Sequence, residues 1–195
     1  MFRKANNMTI PCPNAFIQTP EQKILGLFAM NPGKAFYTRE ISKVLSLSLG
    51  SAHSALLLLE NSEFLTPQPI GRTKLYQLAT RGPIIPAFRV LNTILLLDPL
   101  VGDLRELCRR IILFGSYANG TFSAGSDLDL LVVAEDKARA IELMESAKRK
   151  TGFDLRPLIM NQLEWMDLEQ NNPAFFDELS HGLILWERPV EESRL

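Results

Sequence analysis

The stretch Phe114–Val133 constrains the fold more tightly than any other part of the chain. It reads Phe-Gly-Ser-Tyr-Ala-Asn-Gly-Thr-Phe-Ser-Ala-Gly-Ser-Asp-Leu-Asp-Leu-Leu-Val-Val. An apolar run, Ile111-Ile112-Leu113-Phe114, stops at Gly115-Ser116. The stretch ends in Leu130-Leu131-Val132-Val133, whose leucines and β-branched residues read as a strand entering a core. At the open end of that strand stand Asp127 and Asp129. Side chains at this spacing share one face of a strand, roughly 6.6 Å apart along it. Carboxylates that close repel unless a cation lies between them, and Mg²⁺, a hard ion with oxygen ligands, is the natural candidate. Gly115 lacks a Cβ, so a phosphate can approach the backbone there. If Ser116 opens a helix, its hydroxyl and the next N–H groups face an anion. A Gly-Ser turn alone is commonplace, and Asp-x-Asp alone is equally a solvated loop end. Both in one stretch between apolar strands point to a site for a triphosphate and its metal.

The string Leu-Phe-Gly-Ser-Tyr-Ala-Asn-Gly, followed by Ser-Asp-Leu-Asp-Leu-Leu-Val, resembles the nucleotidyltransferase superfamily typified by DNA polymerase beta. It is most similar to the small minimal nucleotidyltransferases of prokaryotes, over roughly residues 104–187. The resemblance implies an α/β (α+β) fold with a small mixed sheet flanked by helices. It implies transfer of a nucleoside monophosphate from a Mg²⁺-bound triphosphate, ATP foremost, to an acceptor hydroxyl. A third carboxylate is expected on a strand beside the Asp-x-Asp strand, and Asp154 matches that position. Asp154 lies near the start of an apolar run through Met160, where a buried lone carboxylate needs a partner or a metal. An exposed place on an edge strand is the alternative. By resemblance, Asp127 and Asp129 bind two Mg²⁺ ions, and Asp154 holds the metal nearest the acceptor and acts as base. Gly115 and Ser116 hold the phosphates, with Asn119 and Ser126 beside them. Many relatives have Arg at the position of Asn119, which brings no charge; Lys148, Arg149 or Arg156 are possible replacements. Some relatives act with a helical HEPN partner chain as toxin–antitoxin pairs, with the partner protein as acceptor.

The chain has 195 residues, enough for one large domain or two small ones. Charge is uneven: through Arg81 there are nine basic and four acidic residues, leaving twelve basic and eighteen acidic. A basic first module facing an anionic polymer, and an acidic second one, fit this division. Cys12 and Cys108 lack metal or redox spacing, so a reduced, cytoplasmic setting is expected. Met1–Asn7 is basic without a following apolar stretch, so no signal peptide is read. No window approaches the about 18–20 apolar residues of a membrane span, so no membrane partner is expected.

Residues 1–20 read as a loose arm around Cys12. Thr19-Pro20 then starts a helix, with Thr19 as N-cap and Pro20 at its first position. Thr38 caps a short second helix, Ser46–Gly50 forms a turn, and Ser51–Asn61 forms a third helix. A hairpin turning at Gly71-Arg72-Thr73 follows. Three helices and a hairpin over residues 21–78 make a winged helix-turn-helix, which sets its recognition helix in the DNA major groove. The candidate DNA contacts are Ser48, Ser51, His53, Arg72 and Lys74. That helix carries no Arg or Lys, so a dimerisation or docking role is the alternative.

Gly82–Asp98 reads as a connector between a 1–81 domain and a 99–195 domain. Within it Ala87–Leu97 is an apolar helix that needs a partner, either both modules or a second copy in a homodimer. Asp98-Pro99 ends it, and Val101–Arg109 forms a second helix. Ala138–Lys150 is a helix, Leu163–Leu179 is a helix broken at Asn172-Pro173, and Gly182–Glu187 is a last strand. Three functions remain: an active transferase targeted or autoregulated by the winged helix, a DNA-binding regulator that senses nucleotide, or an interaction module with a vestigial site. The complete set Gly115, Ser116, Asp127, Asp129 and Asp154 argues against the last.

Overall fold

A computed structural model describes residues 18–79, 82–151 and 154–189. The arm through residue 17 with Cys12, and Arg81 and Phe153, lie outside the described residues. The chain divides into two compact units. One runs through Leu96 and takes in Phe122–Ala124; the other comprises Leu97–Thr121 and the chain from Gly125 onward.

The first unit opens with α1 (Pro20–Ala29). Its start follows from sequence: the Thr19 hydroxyl accepts from Gln22 N–H while the Gln22 side chain accepts from Thr19 N–H, a capping box ahead of Pro20. A three-residue strand, β1 (Ala35–Tyr37), leads into α2 (Thr38–Val44). Thr38 lies inside α2 rather than capping it, because the Glu40 carboxylate accepts from Tyr37 N–H at 2.8 Å. α3 (Leu49–Asn61) starts two residues earlier than expected, since Ser48 is its N-cap and accepts from Ser51 N–H at 3.0 Å. β2 (Leu65–Ile70) and β3 (Thr73–Leu78) form the hairpin, and the sheet order is β1-β3-β2. Pro67 and Pro69 are tolerated because β2 is an edge strand. Ile24, Leu27, Phe28, Ile41, Leu56 and Tyr76 fill the core.

The break expected at Asp98-Pro99 does not occur. α4 is continuous from Ile84 to Leu104 with Pro99 inside it. A proline removes one N–H donor. Here the buried stripe Leu97, Leu100 and Leu104 continues across it, and that burial outweighs the lost bond. As one helix of 21 residues, α4 is long and apolar enough to cross a membrane, with 33% of the window buried. The absence of a span-length window was therefore an error of the expected break.

The second unit is a four-stranded sheet of order β6-β5-β4-β7. β4 (Cys108–Phe114) starts where a helix was expected, and runs antiparallel to β5 (Leu128–Ala134) and β7 (Leu183–Glu187). β6 (Leu155–Met160) runs parallel to β5, with Leu128 opposite Leu155. The crossover helix is α6 (Lys137–Thr151). α7 (Gln162–Asn171) and α8 (Pro173–Ser180) divide where Asn172 caps α8. A single turn, α5 (Gly115–Ala118), follows β4. Ile112, Leu131, Val133, Trp165 and Leu179 form this unit's core.

Candidate active site

Parallel pairing places the two key carboxylates side by side. Asp127 and Asp154 each immediately precede a strand, and those strands pair in register at Leu128 and Leu155. The bond from Leu128 N–H to Asp154 O, 2.9 Å, locks the two strand entries together. Asp129 sits two residues along β5, opposite Phe114 of β4, which brings it against Gly115. Gly115 has φ +69°, and a Cβ there would lie 2.7 Å from Asp129 Oδ2. The glycine thus admits the protein's own carboxylate to the backbone, a constraint additional to the expected approach of a phosphate.

Basic side chains answer the charge. Arg156 Nη1 lies 2.9 Å from Asp127 Oδ2, and Lys148 Nζ lies 3.1 Å from Asp154 Oδ1. Lys148 holds the Asp154 carboxyl below its ordinary range, with Asp127 within hydrogen-bonding reach and Arg156 adding to the effect. Asp129 is pushed the other way, first by partial burial, then by Asp127 and, more weakly, by Glu178 of α8; Arg156 offsets part of this. Burial raises the Tyr117 phenol, and Asp127 adds to it.

Gly115, Asp127, Asp129 and Asp154 therefore share one end of the sheet. Among the described residues no three acidic, imidazole or thiol groups form a metal cage. Lys148 and Arg156 hold Asp154 and Asp127 by ion pairs instead. Ser116 follows Gly115 in the turn and its carbonyl accepts from Thr121 N–H at 2.9 Å; Gly115, not Ser116, opens the turn. Asn119 is its exposed C-cap, and Ser126 precedes Asp127, half-buried. Of the three cations weighed from sequence, the geometry brings Lys148 and Arg156, not Arg149, onto the carboxylates. Glu178 carried no sequence signal, because only the packing of α8 brings it near Asp129.

The first unit holds a cleft of about 950 Å³ between α2, α3 and the hairpin. His53, Arg72 and Lys74 line it together with Tyr37 and Arg39, neither of which the sequence singled out. Lys74 is bound to Glu60 of α3 at 2.8 Å. Ser48 and Ser51 lie outside the lining; the Ser48 hydroxyl caps α3.

Comparison with known proteins bears on the second unit. Residues 100–177 match the family model for the Nucleotidyltransferase domain. No curated protein matches the chain. A crystal structure of a candidate nucleotidyltransferase from Sulfolobus solfataricus is similar at 15% identity, with a TM-score of 0.37. That similarity covers 56% of this chain and 92% of the other. The matched segment spans the Gly-Ser turn and all three aspartates.

Proposed function

We propose that the second unit transfers a nucleoside monophosphate from a Mg²⁺-bound NTP, ATP foremost, to an acceptor hydroxyl. The observation that supports this most is the meeting of Gly115, Asp127, Asp129 and Asp154 at one sheet end, inside the matched segment. The carboxylates are hard oxygen donors of the kind Mg²⁺ takes; since no three protein groups form a cage among the described residues, the phosphates of the nucleotide would complete its coordination. Asp127 and Asp129 would hold the ions and Asp154 would complete the site. Bound Mg²⁺ supplies a lowered pKa for the acceptor hydroxyl and charge neutralisation at the α-phosphate. Gly115 and Ser116 orient the phosphates. Asp154 accepts the hydroxyl proton as pyrophosphate leaves. The test is transfer of label from α-labelled ATP to nucleic acid or protein in a cell extract. Label transfer by the wild type and none by Asp127→Asn is expected. Transfer that survives Asp127→Asn overturns the reading.

A second reading concerns the first unit. Its element order, three helices with a hairpin after the third, fits a winged helix-turn-helix. Arg39 and Arg72 at the cleft make no ion pair or hydrogen bond among the described residues, so both are available to phosphates. We propose duplex DNA as the partner, with Arg39 and Arg72 as phosphate contacts and His53 beside them. Lys74 contributes less, being held by Glu60. In a gel-shift titration of the full chain, Arg39→Gln with Arg72→Gln removes about two units from the salt slope, while Lys74→Gln changes it little. An unchanged slope in the double variant contradicts this reading.

A further inference from the structure

Two of the three carboxylates of the candidate site, Asp127 and Asp154, already pair with this chain's own cations. Arg156 pairs with Asp127 at 2.9 Å, and Lys148 pairs with Asp154 at 3.1 Å. Both cations stand open to solvent, the Arg156 side chain 68% exposed and that of Lys148 45%, although Asp127 itself is 28% exposed. Exposed pairs are weak and exchangeable, since water screens them and long side chains lose entropy in them. A divalent ion and these cations need the same carboxylate oxygens. An ion held by these carboxylates would compete with both cations for them.

We propose that Arg156 exchanges partners, holding Asp127 in the empty site and gripping the triphosphate in the loaded one, while Lys148 serves only as a counter-ion to Asp154. This rests on the nucleotidyltransferase reading. Arg156 is suited to the exchange by position. It lies opposite Asp129 in the parallel β5–β6 pair, so it stands on the sheet end that carries the carboxylates, with β5 between it and the turn that follows β4. A guanidinium offers a planar fork that fits a carboxylate and a phosphate equally well. Lys148 sits instead at the end of α6, on the carboxylate assigned to the acceptor side. The same exchange keeps the empty site from accumulating uncompensated negative charge, since Asp129 and Glu178 lie close by.

Two binding measurements on the full chain separate these roles: Mn²⁺ alone by electron paramagnetic resonance, and Mg²⁺–ATP by calorimetry. Arg156→Gln removes a competitor, so Mn²⁺ binds about fivefold tighter, while loss of the grip weakens Mg²⁺–ATP about tenfold. Lys148→Gln also tightens Mn²⁺ but leaves Mg²⁺–ATP affinity at or above the wild-type value. Arg156→Lys restores part of the nucleotide affinity. Thermal melts check that each variant folds, as expected for exposed positions. If Arg156→Gln weakens both ligands, or changes neither, the exchange is wrong although the site stands. If the wild type binds neither Mn²⁺ nor Mg²⁺–ATP, the transferase reading fails and the exchange fails with it.

Discussion

Gly115 and Asp129 show how one residue choice holds the site. At φ +69° with a carboxylate 2.7 Å from where a Cβ would be, no other residue fits without moving Asp129. Gly115→Ala is expected to cost about 1–3 kcal/mol, through backbone strain and the displaced carboxylate. A thermal melt checks it, and an unchanged Tm would contradict the tight contact. Asp129 also opposes folding when ionised, because its pKa is raised in the folded chain. That penalty is present at neutral pH and is relieved as pH falls through the folded pKa. Asp129→Asn should therefore raise the Tm of the metal-free protein at pH 7, and the gain should be smaller at an acidic pH below its raised folded pKa. Melts at both pH values check the sign. Cys108 is fully buried, and burial raises its thiol to about 11. It should not react with a disulfide reagent at pH 8 until the protein unfolds.

At the scale of elements, the sequence announces those parts whose ends carry their own chemistry. Thr19-Pro20, Asn172-Pro173 and Gly71 set a cap, a helix break and a hairpin by bonds a few residues long. The elements that escape are decided by distant partners. β1 has three residues, too few for a pattern, and exists because Ala35–Tyr37 pairs with β3. α4 survives Pro99 because its buried leucines continue on both sides. The turn from α8 into β7 is similar. A Cβ at Gly182 would lie 2.5 Å from Ile112 Cγ2 and 2.8 Å from the Leu113 carbonyl. Gly182→Ala should destabilise by about 1–3 kcal/mol, because backbone on β4 cannot give way. Chemical denaturation would detect this as a lowered midpoint; an equal midpoint would mean that the turn is looser than the contacts imply.

At the scale of the molecule, two compact units divide a basic first part from an acidic second part. Gly115, Asp127 and Asp129 were legible as a site because they lie in one continuous string. Asp154 was legible only through a family pattern, since it meets Asp127 through strand pairing 27 residues on. Arg156 could be named but not placed, and Glu178 could not be named, because register and helix packing bring them in. Arg39 and Tyr37 joined the first unit's cleft for the same reason. The central claim is that the carboxylate end of the second sheet binds a metal-complexed NTP. Calorimetric titration of the full chain with ATP, with and without Mg²⁺ and in parallel with Asp127→Asn, tests it most directly. Binding that needs Mg²⁺ and is lost in Asp127→Asn is predicted. Binding of ATP that is indifferent to both, or no binding of any NTP by the wild type, would contradict it.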